Sequence, residues 1–254
     1  MKGVVLAGGL GSRLWPLTKI TNKHLLPIYD KPMVYYPLTC LINAGIRDVL
    51  LVTGGNNAGD FLRLLGNGQE LGLKELHYTY QEGEGGIADA LRLAADFADG
   101  EKLVVVLGDN IIERDIRQGV ANFFSQPRGA RVYLKEVSDP ERFGVAAFDG
   151  EGRITQILEK PATPPSNKAV IGIYMYDEQV FEFIRSLKPS ERGELEITDV
   201  NNFYLQQGEL EYEVLAGWWT DAGTFESLHR AANLVAEGGA NHVSPRRPAL
   251  AAAG

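Results

Sequence analysis

The sequence holds a single cysteine, Cys40, and only four histidines in 254 residues. One cysteine excludes an intramolecular disulfide and suits a reducing compartment. The histidines lack the spacing of metal ligands, so they predict no histidine-based metal site. The longest apolar runs, such as residues 103–107, are far too short to cross a bilayer. Because the first residues already read as a strand, we expect no secretory or transit peptide, no membrane association and a cytoplasmic location.

Positive charge is also scarce. The chain has 25 lysines and arginines against 33 acidic residues, a formal net charge of −8. Such a balance argues against the broad basic face that nucleic-acid binding requires. No G-x-S-x-G motif is present, so a serine hydrolase has no support. An anionic ligand would have to rely on a few cations in a cleft, which singles out Arg13, Lys23, Lys160 and Arg192.

The first half of the chain alternates strand-like and helix-like segments. Predicted strands cover residues 2–7, 48–53, 76–80 and 103–107, and predicted helices cover residues 33–44, 60–65 and 86–98. This alternation predicts βαβ units, a parallel sheet with right-handed crossovers, and ligands at the carboxyl ends of the strands.

The second half has shorter strands, which we expect to complete one mixed sheet and to add a lobe over the first half. Predicted strands cover residues 131–134, 145–148, 154–157 and 169–176, and predicted helices cover residues 178–187 and 224–236. We therefore predict a single domain over residues 1–236, with parts divided near residue 125. Residues 237–254 are rich in Gly, Ala, Pro and Arg, which predicts a flexible tail.

A glycine-rich turn, GGLGSR at residues 8–13, follows the first strand. Glycines let backbone N–H groups approach a ligand closely, and Arg13 and Lys23 add positive charge, so the segment favours a polyphosphate. A P-loop would need Gly-Lys-Ser/Thr at its end, and a dinucleotide fingerprint would need glycine in place of Leu14; both readings fail. A turn that binds no ligand remains the alternative.

Two aspartates lie where a metal ligand would be expected. Asp109 follows the buried strand at residues 103–107, and Asp221 lies in GWWTDAG at residues 217–223. Together they would suit Mg²⁺, a hard cation held by carboxylates and substrate phosphates. Each aspartate can equally cap a turn, and the sequence alone does not bring the two together.

Three further segments carry weaker signals. Glu159 and Lys160 can bind sugar hydroxyls and a phosphate, or form a solvated charge pair. Arg192 can bind an oxyanion in a bidentate manner or serve as a charge at a helix entry. Gln81 offers a donor and an acceptor that suit the edge of a nucleobase, or it is a polar loop residue.

Taken together, these segments resemble the sugar-nucleotide pyrophosphorylases, most closely the thymidylyltransferase branch. The matching motifs are LAGGLGSRL at 6–14, Lys23, LLPIYDKPM at 25–33, LGDN at 107–110, DPERFGV at 139–145, EKP at 159–161, RGELEITD at 192–199 and WTDAG at 219–223. They follow the family's order over about residues 2–235, and the series is far more specific than any single motif.

The resemblance implies a three-layer α/β/α sandwich with a mixed, mainly parallel sheet. It also implies a Mg²⁺-dependent reaction in which dTTP and α-D-glucose 1-phosphate give dTDP-glucose and pyrophosphate, and a homo-oligomer, either dimer or tetramer. Residues 1–125 would then bind the nucleotide, and residues 126–236 the sugar.

The family's functional positions carry over residue by residue. The implied catalytic residues are Arg13, Lys23 and Lys160. The implied nucleotide-binding residues are Leu6, Ala7, Gly8, Gly9, Gly11, Ser12, Arg13, Lys23, Gln81, Gly86 and Asp109. The implied sugar-phosphate residues are Asn110, Gly144, Glu159, Lys160, Val170, Arg192 and Trp219. The implied metal ligands are Asp109 and Asp221.

Some positions depart from longer family members. Ser12 stands where threonine is usual, and His24 replaces a glutamine. The sequence ends where longer members continue into a C-terminal helical extension, which leaves open whether regulation built on that extension carries over. A uridylyltransferase remains an alternative because uracil presents the same edge as thymine. A glycosyltransferase is a second alternative, although Asp109-Asn110-Ile111 breaks its usual Asp-x-Asp motif, and a non-catalytic nucleotide-sugar sensor is a third.

Overall fold

The structure is a computed structural model, and it describes residues 1–243 apart from the side chain of Asn56. The strands are Lys2–Ala7 (β1), Pro27–Ile28 (β2), Lys31–Pro32 (β3), Asp48–Gly54 (β4), Glu75–Gln81 (β5), Leu103–Leu107 (β6), Asn110–Ile112 (β7), Ala130–Glu136 (β8), Gly144–Phe148 (β9), Ile154–Glu159 (β10), Lys168–Tyr176 (β11), Leu210–Val214 (β12) and Trp219–Asp221 (β13). The α-helices are Tyr35–Asn43 (α1), Ala58–Leu65 (α2), Ile87–Arg92 (α3), Ala95–Ala98 (α4), Arg117–Ser125 (α5), Val180–Ser186 (α6), Ile197–Gln206 (α7) and Phe225–Gly238 (α8).

A nine-stranded mixed sheet organises the chain. Its order runs β10-β9-β11-β6-β1-β4-β5, and β8 joins β11 while β12 joins β8. Strand β1 is central and pairs in parallel with both β4 and β6. Strand β11 is antiparallel to β6 and connects the two halves of the sheet. The carboxyl ends of β1, β4, β5 and β6 therefore lie at one edge, where the glycine turn and Asp109 emerge.

Side chains of β1 alternate between two apolar layers, as the period of a strand requires. Val4 and Leu6 pack in a cluster with residues of α3, α6 and α7. Val5 and Ala7 pack in a second cluster with residues of α1, α2 and α5. Helices thus cover both faces, and the predicted three-layer α/β/α fold is confirmed. In residues 1–243, no helix combines the length and apolarity needed to span a bilayer.

The predicted helix over residues 86–98 is divided in two. Helix α3 ends at Arg92 and α4 begins at Ala95. At the break, the N–H groups of Leu93 and Ala94 donate to carbonyls three residues earlier, which tightens the turn. Neither residue is a glycine or proline, so the sequence carries no strong signal for this break.

The structure corrects the predicted boundary of the tail. Helix α8 begins with a capping box between Thr224 and Ser227 and continues to Gly238. Beyond it, the backbone N–H groups of Asn241 and His242 donate to the carbonyls of Ile112 and Glu113 at 2.8 and 2.7 Å. Order therefore extends to residue 243 rather than ending at 236. Residues 244–254, the rest of the predicted tail, lie outside the described residues.

Cys40 lies on the buried face of α1, where 2% of its surface is exposed. Burial, together with the charge of Asp115, raises the pKa of the Cys40 thiol to about 12. The residue acts as a small apolar group in the core.

Asp177 gives a test of how the second half of the fold is held. Its buried carboxylate accepts hydrogen bonds from the Gly129 N–H at 2.6 Å and the Tyr204 hydroxyl at 2.7 Å. Asp177→Ala leaves these buried donors unpaired, so we expect the free energy of unfolding to fall by about 2–3 kcal/mol in urea titrations. The exposed neighbour Glu178→Ala is the matched control, and equal urea midpoints for the two variants would show that this network contributes little.

Candidate active site

A cavity of about 530 Å³ opens at the carboxyl ends of β1, β5 and β6. Its other wall comes from β9, β10, β11 and α7 in the second half of the chain. The predicted site residues that line it are Leu6, Gly8, Gly9, Gly11, Ser12, Arg13, Lys23, Gln81, Gly86, Asp109, Asn110, Gly144, Glu159, Lys160, Val170, Trp219 and Asp221. Residues almost 220 positions apart thus share one cleft.

The glycine turn is shaped by close contacts that only glycine allows. Gly11 has φ 69°, and a Cβ there would lie 2.9 Å from side-chain atoms of both Lys23 and Thr18. A Cβ on Gly8 would lie 2.7 Å from Gln81 Oε1. The turn is therefore packed directly against two side chains that line the cavity.

Asn22 positions the next segment. Its Nδ2 donates to the Ala7 carbonyl at the end of β1, at 3.3 Å, and to the Gly54 carbonyl at the end of β4, at 3.4 Å. Its Oδ1 accepts from the His24 backbone N–H at 2.9 Å and from His24 Nδ1 at 2.7 Å. Because Oδ1 only accepts, Nδ1 carries the imidazole proton. Because Asn22 and His24 are both held by these hydrogen bonds, the backbone is fixed on either side of Lys23.

Lys23 and Asp109 form a close ion pair in the cavity wall. Lys23 Nζ lies 2.5 Å from Asp109 Oδ2, and both side chains are largely buried. Burial acts to raise the pKa of Asp109, but the charge of Lys23, with His24 and hydrogen bonds, holds it well below its usual value. Asp109 is therefore an ionised carboxylate at the end of β6.

Asp221 meets Asp109 through the pairing of β7 with β13. The Ala222 N–H donates to the Asp109 carbonyl at 2.9 Å, and Asp221 opposes Asn110 in register. Burial and the charge of Asp109 raise the pKa of Asp221. Its buried Oδ1 has no hydrogen-bond partner among the described residues. An unpaired carboxylate oxygen beside a second carboxylate is a donor set that suits a hard divalent cation.

Asn110 is bound on three sides. Its Oδ1 accepts from Trp219 Nε1 at 2.7 Å and from the Gly172 N–H at 3.1 Å, and its Nδ2 donates to Asp109 Oδ1 at 3.1 Å. A Cβ on Gly172 would lie 2.5 Å from Asn110 Nδ2, so glycine is required for this approach. In this arrangement Asn110 orients Asp109.

The other wall of the cavity carries a carboxylate and a cation. Glu159 Oε2 accepts from the Thr198 hydroxyl at 2.6 Å. Lys160 has a positive φ of 42° and a half-exposed side chain, and its Nζ lies 3.6 Å from Glu159 Oε1. Gly144 lies against both Thr198 and Glu159. This wall can accept hydrogen bonds from hydroxyl groups and bind an anion.

Two predicted site residues do not line the cavity. Ala7 is fully buried in β1, and its carbonyl is bound by Asn22. Arg192 is bound by three carboxylates, with Nη2 at 2.8 Å from Glu196, 3.2 Å from Glu159 and 3.3 Å from Glu194. Neither side chain is therefore among those that line the cavity, and the binding roles of Ala7 and Arg192 stay predictions. Arg192 braces Glu159.

Other residues that line the cavity had not been predicted. Arg142 follows Asp139 in a short 3-10 helix and reaches Asp221 at 3.4 Å. Thr198 and Asn201 come from one face of α7. The motif DPERFGV contains Arg142, but the direction of the Arg142 side chain depends on its ion pair with Asp139, which the sequence does not reveal.

A separate cluster lies at the opposite edge of the sheet. Ligand atoms of Asp48, Glu75 and His77 converge there, at the amino ends of β4 and β5. His77 and Glu75 are exposed, and such groups are common on surfaces without an ion. This cluster is distant along the strands from the cavity and is not part of the site.

The sequence model of the nucleotidyl transferase family matches residues 2–238. The chain belongs to this family. Among curated relatives, the glucose-1-phosphate thymidylyltransferases of Neisseria meningitidis serogroup A and Mycobacterium tuberculosis are each 46% identical over 92% of this chain and 82% of their own length.

Solved structures agree with this membership. A putative glucose-1-phosphate thymidylyltransferase from Bacillus anthracis, in complex with a sucrose, has a TM-score of 0.88 and 52% identity, covering 92% of this chain and 94% of that one. A UDP-glucose pyrophosphorylase complexed with UDP-glucose has a TM-score of 0.79 and 26% identity, covering 93% and 98%. The family and the enzyme class predicted from the sequence, a nucleotidyltransferase, are confirmed.

His24 provides a pH test of the site. Burial, with the charge of Lys23, lowers the pKa of His24 to about 3. The unfolded chain therefore binds a proton below about pH 6.5 that the folded chain does not, so the free energy of unfolding falls with acidification. We expect His24 to account for about 2–3 kcal/mol of the stability lost between about pH 7 and pH 4.5.

The measurement compares urea unfolding of the metal-free protein and of His24→Gln at both pH values. The variant cannot titrate at this position, so it should lose less stability than the wild-type protein. Equal losses would contradict the expected proton linkage.

Proposed function

We propose that this protein transfers the thymidylyl group of dTTP to α-D-glucose 1-phosphate and releases pyrophosphate. One observation carries the proposal: the glycine turn, Lys23, Asp109 and Asp221 meet in one cavity that faces Glu159 and Lys160. This is a polyphosphate side opposite a hydroxyl-binding side. The relatives named as glucose-1-phosphate thymidylyltransferases support the choice of both substrates. Residues 1–125 would supply the nucleotide side and residues 126–236 the sugar side.

We further propose that Asp109 and Asp221 hold a divalent metal ion, Mg²⁺. The orphaned Oδ1 of Asp221 and its ionised neighbour support this assignment. When bound, the ion would neutralise phosphate charge and polarise a phosphoryl oxygen.

The protein's own residues account for binding and orientation. Backbone N–H groups of the glycine turn, Arg13 and Lys23 would hold the triphosphate, and Lys160 would hold the sugar phosphate. Glu159 would accept hydrogen bonds from sugar hydroxyls. The sugar phosphate oxygen then attacks the α-phosphorus in line and pyrophosphate leaves. Catalysis consists of positioning and charge stabilisation and needs no protein nucleophile.

Arg192 would take part only by releasing carboxylates. A sugar phosphate that reaches it would have to replace its contacts with Glu159 and Glu194. Lys160 lines the cavity, and its Nζ has one carboxylate partner among residues 1–243, Glu159 at 3.6 Å, so it is the stronger candidate for this phosphate. We also propose a cytoplasmic homo-oligomer, a dimer or tetramer, for which the family resemblance is the support.

A uridylyltransferase is the second candidate. The likeness to a UDP-glucose pyrophosphorylase favours it, and a single acceptor at Gln81 would serve uracil as well as thymine. A glycosyltransferase has less support, since Ile111 stands where an Asp-x-Asp motif beginning at Asp109 would have its second aspartate.

The deciding experiment measures pyrophosphate release for every pairing of the common nucleoside triphosphates with several sugar 1-phosphates. We expect dTTP with glucose 1-phosphate to give the highest kcat/KM. A clear preference for UTP would replace dTTP as the proposed nucleotide substrate. Absence of pyrophosphate release with every pair would overturn the proposal of nucleotidyl transfer.

Arg13 and Asp109 test the polyphosphate side separately. Arg13→Ala and Asp109→Asn should each lower turnover by at least about a hundredfold, as the loss of a transition-state contact does. Lys19→Ala is the matched control, because Lys19 is an exposed cation near the same turn that does not line the cavity. Circular dichroism checks folding, and near-normal turnover in a folded variant would remove that residue from the mechanism.

A further inference from the structure

Gln81 is held in one orientation by an acidic residue outside the predicted site. Its Nε2 donates to Asp89 Oδ2 at 2.9 Å and to the Gly86 carbonyl at 3.3 Å. Gln81 itself is buried, with 6% of its surface exposed. Asp89 lies in the first turn of α3, and none of the sequence motifs includes it.

The chemistry of these partners fixes which end of the amide faces them. A carboxylate and a carbonyl only accept hydrogen bonds, so the amide nitrogen must point toward Asp89 and Gly86. The carbonyl oxygen, Oε1, then points toward the glycine turn, where a Cβ on Gly8 would lie 2.7 Å from it. Within residues 1–243, Oε1 has no hydrogen-bond partner, and both Gln81 and Gly8 line the cavity.

Asp89 is itself held in place. Its Oδ1 accepts from Arg92 Nη2 at 2.9 Å, which leaves Oδ2 for Gln81. A Cβ on Gly85 would lie 2.5 Å from Asp89 Oδ2, so glycine at that position gives the carboxylate its room. The Gln81 amide is therefore oriented by a carboxylate that is itself held, because Arg92 binds its Oδ1 while Gln81 binds its Oδ2.

We propose that Asp89 is a positioning residue that makes Gln81 a hydrogen-bond acceptor only, and so selects a nucleobase with a ring N–H donor over cytosine. This inference rests on the proposed function and deepens it. Thymine and uracil present N3–H to Oε1. Cytosine in the same position presents the N3 lone pair, which sets two acceptors face to face.

Removal of the Asp89 carboxylate would let the side-chain amide of Gln81 rotate. With the carboxylate removed, Nε2 is held only by the longer contact to Gly86, and a rotated amide would offer Nε2 to cytosine N3. The penalty against cytosine would fall while the chemical groups at Arg13, Lys23 and Asp109 stay in place. Base preference and KM should therefore change more than kcat.

The test measures kcat/KM for dTTP and dCTP with glucose 1-phosphate. Asp89→Ala should lower the dTTP to dCTP ratio by about tenfold, mainly through KM, as the loss of one fixed hydrogen bond does. Asp89→Asn, which keeps the shape and one acceptor oxygen, should lower it by about threefold. Asp96→Ala, an exposed acidic residue on α4, is the matched control and should keep the wild-type ratio.

A double-mutant cycle separates positioning from a general structural effect. If Asp89 acts through Gln81, then Asp89→Ala made in a Gln81→Ala background should change the ratio by less than about twofold. A wild-type ratio in both Asp89 variants, or an equal change with and without Gln81, would overturn the proposal.

Binding without sugar phosphate keeps this test independent of the reaction. Calorimetric titration of dTTP and dCTP into the same variants should show the same order of preference. If the wild-type protein prefers dTTP yet releases no pyrophosphate, the proposed reaction fails and the positioning role is still decided by titration. If it binds the two nucleotides equally, the positioning role fails.

Discussion

The site depends on one ion pair, between Lys23 and Asp109. Removing both charges from water is costly, and only a close, hydrogen-bonded partner offsets that cost. The pair joins the segment after the glycine turn to the end of β6, with Nζ and Oδ2 at 2.5 Å. Gly11 packs on the lysine stem, and Asn110 holds the other carboxylate oxygen. The turn, the end of β6 and the β7–β13 pair are therefore positioned against a common centre.

Around that centre, cations and carboxylates nearly balance. Among residues 1–243, four cationic side chains line the cavity, namely Arg13, Lys23, Arg142 and Lys160, against five carboxylates, namely Glu84, Asp109, Glu159, Glu194 and Asp221. A triphosphate and a sugar phosphate together carry far more negative charge than these cations offset. This charge balance is the physical reason why a divalent cation belongs in the proposed mechanism.

The sequence predicts the parts of the fold whose signals are local. Strand β6 is a continuous apolar run, and its position dictates where Asp109 emerges. Helix α7 was missed because Thr198 and Asn201 are buried on its inner face, which hides the apolar period. Strands β7 and β13 have three residues each and pair across about a hundred positions, so nothing local indicates them. The same pairing decides that Asp109 and Asp221 converge. The sequence does not show that the Arg192 guanidinium is bound by Glu159, which is remote in sequence, as well as by Glu194 and Glu196.

The burial of Cys40 has a practical consequence. A thiol that is enclosed in α1 and largely protonated at neutral pH presents almost no thiolate to an alkylating probe. A thiol-reactive label should therefore leave the folded chain almost unmodified, and Cys40 need not be replaced before labelling. A cysteine introduced at Ser12, which is exposed on the glycine turn, would carry the sole reactive thiol among residues 1–243. A fluorophore there would test whether that turn moves when dTTP is added.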